Sequence, residues 1–237
     1  MMQSDPQWRA ANIYATKSTS KTGLLDETRL FLTTYASLGD LKATHRVLID
    51  GGLPQRSRST RQTILKKIQE RLIRWNPPAW VLADLATFAQ DENPAALQAA
   101  LLIHVPRQDR LLYDVVQQLI VPRWETGATL VLREDVQRYL DDMTPTHPEI
   151  GTWTHGTREK LAGNLLSILR DYGLLKGKER KQIVEPVVPA HVVQHLARLL
   201  QAEGIAAGEL AHHPDWRLWL WDAARAEQAL ATLGLAG

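Results

Sequence analysis

Cysteine is absent from the 237-residue sequence. Its absence excludes disulfide bonds, thiolate metal sites, iron–sulfur clusters and cysteine nucleophiles. Long apolar runs are lacking as well. No stretch approaches the roughly 20 apolar residues that a membrane-spanning helix needs, and residues 1–20 contain no apolar core of signal-peptide length. From these absences we expect a cytoplasmic protein that does not interact with a membrane.

Sequence motifs of catalysis are also lacking. Gly173 and Gly177-Lys178 are spaced almost like a phosphate-binding loop, but only three residues separate the glycines. Glu179 then follows the lysine, where a Ser or Thr is required. The sequence contains neither a Gly-x-Ser-x-Gly elbow nor a dinucleotide-binding fingerprint. We therefore expect no enzyme activity, no cofactor and no small-molecule substrate, although a site assembled from distant residues stays open.

Histidine and carboxylate pairs occur without the further ligands that a metal site needs. His191 and His195 are four residues apart and would share a helix face, but no Glu lies between them and no third ligand is evident. The pair His212-His213 beside Asp215 belongs to no larger cluster, and the carboxylates at 141–142 stand at a predicted helix end. We expect packed or solvated side chains at these positions and no metal site.

The spacing of apolar residues predicts an all-α fold. Hydrophobic residues make up 44% and charged residues 23% of the chain, which is typical of folded globular proteins. Helices are expected over 24–37, 41–50, 59–75, 79–90, 94–104, 109–120, 133–143, 157–172 and 190–202. Pro106 and Pro122 are expected to separate helices, and 174–188 forms either a short β-hairpin or a basic loop. Two helical lobes are expected, 1–127 and 128–237.

Charge is distributed unevenly along the chain. Residues 1–76 hold 13 Lys/Arg against 6 Asp/Glu, a net charge of +7, whereas residues 77–152 hold 5 against 11, a net charge of −6. A basic surface beside an acidic one suits a polyanion on one face and a protein partner on another. The alternative is a solvated surface with no partner at all.

The stretch from Arg56 to Arg74 concentrates the positive charge, with seven Lys/Arg and the single acid Glu70. It follows a helix and a glycine-containing turn, which is the order of a helix-turn-helix, although the turn is longer than usual. At 100° per residue the basic and hydroxyl side chains share one flank and the apolar side chains lie opposite. The residues expected to contact nucleic acid are Arg56, Arg58, Thr60, Arg61, Thr63, Lys67, Arg71 and Arg74. The alternative is a solvated helix face.

A second helix-turn-helix-like unit is predicted between Arg133 and Val188. Its helices would be 133–143 and 157–172, and the basic segment after Gly173 would act as a wing. The start of the second helix would approach the groove or backbone of DNA, and the wing would touch phosphates. The residues expected to bind are Thr154, His155, Thr157, Arg158, Lys160, Lys176, Lys178, Arg180 and Lys181.

Three segments carry a resemblance to a known family. They are the runs from Tyr14 to Gly23, from Leu25 to Arg29, and from Trp153 to Arg158 leading into 169–175. In these segments the chain resembles BrxA, a small component of BREX bacteriophage-exclusion systems. The resemblance implies an all-helical protein with helix-turn-helix-like units that binds double-stranded DNA and works beside other BREX proteins. The chain is also similar to the NusB-like helical fold of RNA antitermination.

These observations lead to one leading hypothesis and two alternatives. The leading hypothesis is a non-catalytic component of phage defence that contacts duplex DNA mainly through phosphates. One alternative is an assembly scaffold that docks through the acidic middle and the cluster Trp216, Trp219 and Trp221, although those tryptophans equally suit a core. The other alternative is RNA binding in the NusB manner.

Overall fold

The computed structural model describes residues 9–16 and 21–235, and the class is all-α with a small sheet, as the sequence predicts. The first half of the chain folds into helices α1 (Leu25–Leu38), α2 (Leu41–Val47), α3 (Arg58–Leu72), α4 (Ala79–Gln90), α5 (Ala95–Arg107), α6 (Arg110–Asp114) and α7 (Val121–Glu125). The second half contains α8 (Arg133–Met143), α9 (His155–Asp171), α10 (Ala190–Ala202) and α11 (Ala223–Thr232). Short 3-10 segments lie at Pro148–Thr152, Ala207–His212 and Pro214–Trp219.

Capping side chains determine where several helices begin. Asp40 accepts the backbone N–H of Ala43 at the start of α2. Helix α3 begins earlier than predicted, at Arg58, because Ser57 accepts the N–H of Thr60. The chain before α3 passes through a wide π-helical turn, Leu48–Gly52, in which Gly51 has a φ of 132° that favours glycine.

The predicted break between helices near Pro106 is present, since α5 ends at Arg107 and α6 begins at Arg110, but the predicted break at Pro122 is wrong. Pro106 occupies the last turn of α5, and Pro122 lies at the start of α7. Helices α6 and α7 are joined by a π-helical segment, Val115–Ile120, where Val121 bonds to the carbonyl of Val116 five residues earlier. The wider turn shifts the hydrogen-bond ladder just before Pro122, which has no N–H to donate. A helical path therefore continues to Glu125.

The sheet has three short antiparallel strands, β1 (Leu130–Val131), β2 (Leu175–Lys176) and β3 (Lys181–Ile183), in the order β1-β3-β2. Strands β2 and β3 form the β-hairpin that was one of the two alternatives for this segment, and we call 175–183 the basic hairpin. Gly177 has a φ of 95°, and a Cβ there would lie 2.3 Å from the carbonyl oxygen of Arg180. The turn therefore requires glycine.

The buried core is continuous across the predicted lobe boundary near Gly127. Helix α5 runs through its centre, with nearly every residue buried, and contacts α10 and the 3-10 segment Pro214–Trp219. The tryptophans of the tail belong to this core, because Trp216 and Trp219 are almost fully buried and the Trp219 indole donates to the carbonyl of Ala99. The division into 1–127 and 128–237 stays a prediction.

An N-terminal arm, residues 9–16, lies across the helices. Arg9 pairs with Asp215, and its neighbour Ala10 donates its N–H to the carbonyl of Arg107. Further along, Tyr14 is buried whereas Ile13 stays 64% exposed. Over residues 9–16 and 21–235, no helix combines the length and the apolar character that crossing a membrane requires.

Candidate nucleic-acid interface

The N-terminal unit consists of α2, the turn after it and α3. Arg61 binds this turn from within, since its guanidinium donates to the carbonyls of Ile49 and Gln55, each across 2.6 Å. Arg58 forms an exposed ion pair with Asp50 across 2.6 Å. These two predicted binding residues therefore also hold the turn against the start of α3.

Two predicted contact residues of α3 are buried, which corrects their placement on an outward flank. Arg71 is 3% exposed, and its guanidinium donates to the carbonyls of Gly23, at 2.9 Å, and Thr22, at 3.1 Å. Lys67 is 8% exposed and pairs with Glu70 across 2.7 Å. The helical pattern placed both on a non-core flank, but it could not show that the chain before α1 covers the Arg71 end of that flank.

The remaining cations and hydroxyls of the N-terminal unit form a smaller exposed basic surface than the sequence predicts. Arg56 is exposed, and Arg74 is exposed beside Glu70 at 3.3 Å. The hydroxyls of Thr60 and Thr63 are engaged locally, with Ser57 and with the carbonyl of Ser59. Lys66, which the predicted list omits, is exposed and has no ion pair within the described residues.

The C-terminal unit combines β1, α8, α9 and the basic hairpin. Thr154 caps α9 by accepting the N–H of Thr157 across 3.2 Å, and His155 and Lys160 are exposed on the first turns of the helix. Arg158 is turned toward the protein instead. It pairs with Asp141 of α8 across 2.7 Å and donates to the carbonyl of Ile150 across 3.0 Å. Arg158 therefore braces the loop between α8 and α9.

The basic hairpin presents three exposed cations, Lys176, Lys178 and Arg180, none of which has an ion pair within the part of the chain that the structure describes. Lys181 does not share this exposure, which corrects its predicted placement. It is 7% exposed, and its ammonium donates to the carbonyl of Lys178 across 2.5 Å. Burial lowers the pKa of Lys181, and the nearby positive charges of Arg170 and Arg133 lower it further.

A groove of about 390 Å³ lies beside the first half of α9. It is lined by residues of α9, its cap and the N-terminal arm, namely Thr16, Thr154, Gly156, Thr157, Lys160, Leu161 and Asn164. Further along α9, the guanidinium of Arg133 lies against Gly163. Its Nε is 3.5 Å from the position that a Cβ on residue 163 would occupy. The prediction missed Asn164 and Arg133. The sequence did contain one indication of an open helix face, namely the two glycines at 156 and 163, which lie two helical turns apart.

The BrxA family pattern matches residues 12–199, more than three quarters of the sequence. The chain belongs to the BrxA family. This membership indicates a role in BREX phage defence. A comparison with curated proteins gave no match. A crystal structure of an uncharacterized protein from Magnetospirillum magneticum is similar, with a TM-score of 0.65 and 16% identity over 88% of this chain and 99% of that one. At that identity the similarity shows the fold alone.

In this BrxA-family protein, the two histidines considered for a shared metal site have different surroundings. His195 is buried and uses both ring nitrogens, with Nδ1 2.8 Å from Asp84 and Nε2 2.8 Å from Nε2 of His104. His191 is exposed and packs on Phe88. Over residues 9–16 and 21–235, no group of three or more His, Asp or Glu side chains is arranged to hold a metal ion.

Proposed function

We propose that this BrxA-family protein is a non-catalytic DNA-binding component of BREX phage defence and contacts duplex DNA mainly through phosphates. The observation that carries the proposal is the element order of the C-terminal unit. Strand β1, helices α8 and α9 and the basic hairpin follow one another, and β3 pairs with both β1 and β2. This order resembles that of a winged helix-turn-helix, and it supports placing the second helix in the major groove and the hairpin along the backbone.

Charge in the C-terminal unit supports contacts to phosphate. Lys176, Lys178 and Arg180 project from the hairpin and form no ion pair within the described residues, so these three cations outnumber the exposed Glu179 of the same turn. Lys160 adds a cation at the start of α9, where the helix dipole also favours anions. A surface of this kind supplies the sequence-independent part of DNA affinity.

The same unit offers few side chains for reading bases. Arginine is the commonest reader of guanine, but Arg158 is engaged by Asp141 and a carbonyl, and Arg170 pairs with Asp171 across 2.8 Å. Within the groove beside α9, the polar side chains are Asn164 and Lys160 together with the hydroxyls of three threonines, and no arginine lines it. This supports binding in which phosphate contacts dominate and sequence preference is weak.

The N-terminal unit takes a secondary part in the proposal. Arg56, Lys66 and Arg74 are exposed, but Lys67 and Arg71 are buried and no longer belong to the contacting set. Other BREX proteins stay predicted partners.

Fluorescence anisotropy with a labelled duplex of arbitrary sequence tests the proposal. Two charge-matched triple variants are compared with the wild type, one with Lys176, Lys178 and Arg180 changed to Glu, and one with Arg56, Lys66 and Arg74 changed to Glu. We expect at least about tenfold weaker binding for the hairpin variant and a smaller loss for the α3 variant. Equal small losses in both would show a response to net charge alone and would contradict the assignment to the C-terminal unit.

A further inference from the structure

Tyr14 of the N-terminal arm inserts into a polar socket between helices. Its side chain is 2% exposed, and its hydroxyl donates to Asp114 of α6 across 2.9 Å and lies 3.0 Å from the hydroxyl of Tyr139 in α8. Asp114 is itself buried and paired with Arg110 across 2.7 Å. Burial raises the pKa of Tyr14 well above its usual range, as do Tyr139 and Asp114 beside it, so the hydroxyl stays protonated and donates.

The other side of Tyr14 holds the loop between α8 and α9. The ring stacks on His147 with centroids 3.7 Å apart and planes 5° from parallel. The backbone N–H of Tyr14 donates to Glu149 across 2.7 Å, and the same carboxylate oxygen lies 3.1 Å from Nδ1 of His147. One residue of the arm therefore touches α6, α8 and the loop that leads into α9.

The loop that leads into α9 is long for a helix-turn-helix. Eleven residues, 144–154, separate α8 from α9, whereas a helix-turn-helix usually has a turn of three or four residues. A short turn fixes the angle between its helices by itself, and a long loop must be held by contacts from elsewhere. Arg158 supplies one such contact through the carbonyl of Ile150. Tyr14 supplies two more, at His147 and Glu149, and the side chain of Ile150 is buried in the core.

We propose that Tyr14 is a positioning residue for α9, which locks the loop 144–154 against α6 and α8 and so sets the angle at which α9 and the basic hairpin meet DNA. The inference rests on the proposed function. It gives the N-terminal arm a role in binding without requiring any arm residue to touch the duplex.

Three variants separate positioning from simple anchoring of the arm. Tyr14→Ala removes the ring and the hydroxyl, Tyr14→Phe keeps the ring on His147, and Ile13→Ala changes the adjacent exposed residue as a control. Hydrogen exchange of the loop 144–154 and duplex affinity at one fixed salt concentration are measured for each. In Tyr14→Ala we expect loop exchange about tenfold faster and affinity about tenfold weaker. Tyr14→Phe should change loop exchange and duplex affinity by about a third of the factor expected for Tyr14→Ala. Ile13→Ala should change neither quantity.

Two results would overturn the inference. The first is that the loop 144–154 exchanges no faster in Tyr14→Ala than in Ile13→Ala. If Tyr14→Ala does not fold, Tyr14→Phe is compared with Ile13→Ala instead. The other is faster loop exchange with unchanged duplex affinity, because Tyr14 would then only anchor the arm. The exchange comparison uses no DNA, so failure of this inference is distinguished from failure of the proposed function, which appears in the wild-type titration.

Discussion

Arg71 donates to the carbonyl oxygen of Gly23 across 2.9 Å, and the hydroxyl of Tyr172, at the end of α9, donates to the same oxygen across 2.8 Å. One backbone oxygen therefore joins the basic helix α3 to the end of α9. The most basic helix of the sequence contributes one of its cations to the connection between the two units, where it is unable to reach a phosphate.

Charge reversal at Arg71 and at Arg74 should consequently have different effects. Arg71→Glu places a carboxylate among buried carbonyls, and we expect the free energy of unfolding to fall by at least about 3 kcal/mol. Arg74→Glu changes an exposed residue beside Glu70, and we expect a loss below about 1 kcal/mol. Urea denaturation followed by circular dichroism measures both. Equal losses would contradict the burial of Arg71.

The buried pair of His104 and His195 makes stability sensitive to acid. Burial lowers the pKa of His104 well below its ordinary 6.5, and the neighbouring His195 and Arg107 lower it further. The unfolded chain therefore binds a proton at this imidazole that the native state does not bind, and stability is lost as the pH falls below about 6.5.

We expect the free energy of unfolding to fall between pH 6.5 and pH 5 by up to about 1.4 kcal/mol per pH unit from this histidine. His104→Gln, whose amide can reach the position of Nε2, can keep a hydrogen bond to His195 but does not titrate. Urea denaturation over that pH range should give a shallower slope for the variant. Identical slopes would contradict a neutral buried His104.

Asp215 anchors a buried ionic network. Burial acts to raise the pKa of its carboxyl, but the positive charges of Arg107 and Arg9 outweigh burial and lower it from 3.8 to about 2. The carboxylate therefore contributes stability above about pH 4, and that contribution is lost as the pH falls toward 2. Asp215→Asn leaves the buried Arg107 with Glu203 as its remaining acid.

We expect Asp215→Asn to lower the free energy of unfolding at neutral pH by about 3 kcal/mol. Asp142→Asn, at an exposed carboxylate, is the control and should change stability by less than about 0.5 kcal/mol. Thermal and urea denaturation measure the difference. A small loss in Asp215→Asn would mean that the network adds little to the fold.

The turn of the basic hairpin depends on Gly177. Its φ of 95° and the close carbonyl of Arg180 leave no room for a side chain. Gly177→Ala should cost about 1–3 kcal/mol of local stability and weaken duplex binding, because the hairpin cations lose their arrangement. Gly208→Ala, where a Cβ meets nothing within 4 Å, is the control. Unchanged hairpin exchange and affinity in Gly177→Ala would contradict the strained turn.

Helix positions could be predicted from the sequence because they depend on local patterns. Helices α4 and α8 begin and end where apolar spacing and flanking residues place them. Strand β1 could not be predicted, since its two residues carry no periodicity and pair only because β3 lies beside them. The helical path that continues through Pro122 depends on turn geometry that residue preferences do not contain.

The candidate site was predictable in outline but not in exposure. The sequence shows that Lys176, Lys178 and Arg180 are basic and close in the chain, and the structure places all three in the open. The same reasoning failed for Lys67, Arg71 and Lys181. A helical wheel separates the flanks of one helix, but what covers a flank is decided by distant residues such as Gly23 and Tyr172.

The salt dependence of duplex binding tests the central claim most directly. Each phosphate neutralised by a Lys or Arg adds about 0.9 to the slope of log affinity against log salt concentration. We predict a steep negative slope for the wild type. For the variant with Lys176, Lys178 and Arg180 changed to Glu, we predict a slope shallower by about 2 to 3. Absence of duplex binding at low salt, or equal slopes for the two proteins, would contradict DNA binding through the C-terminal unit.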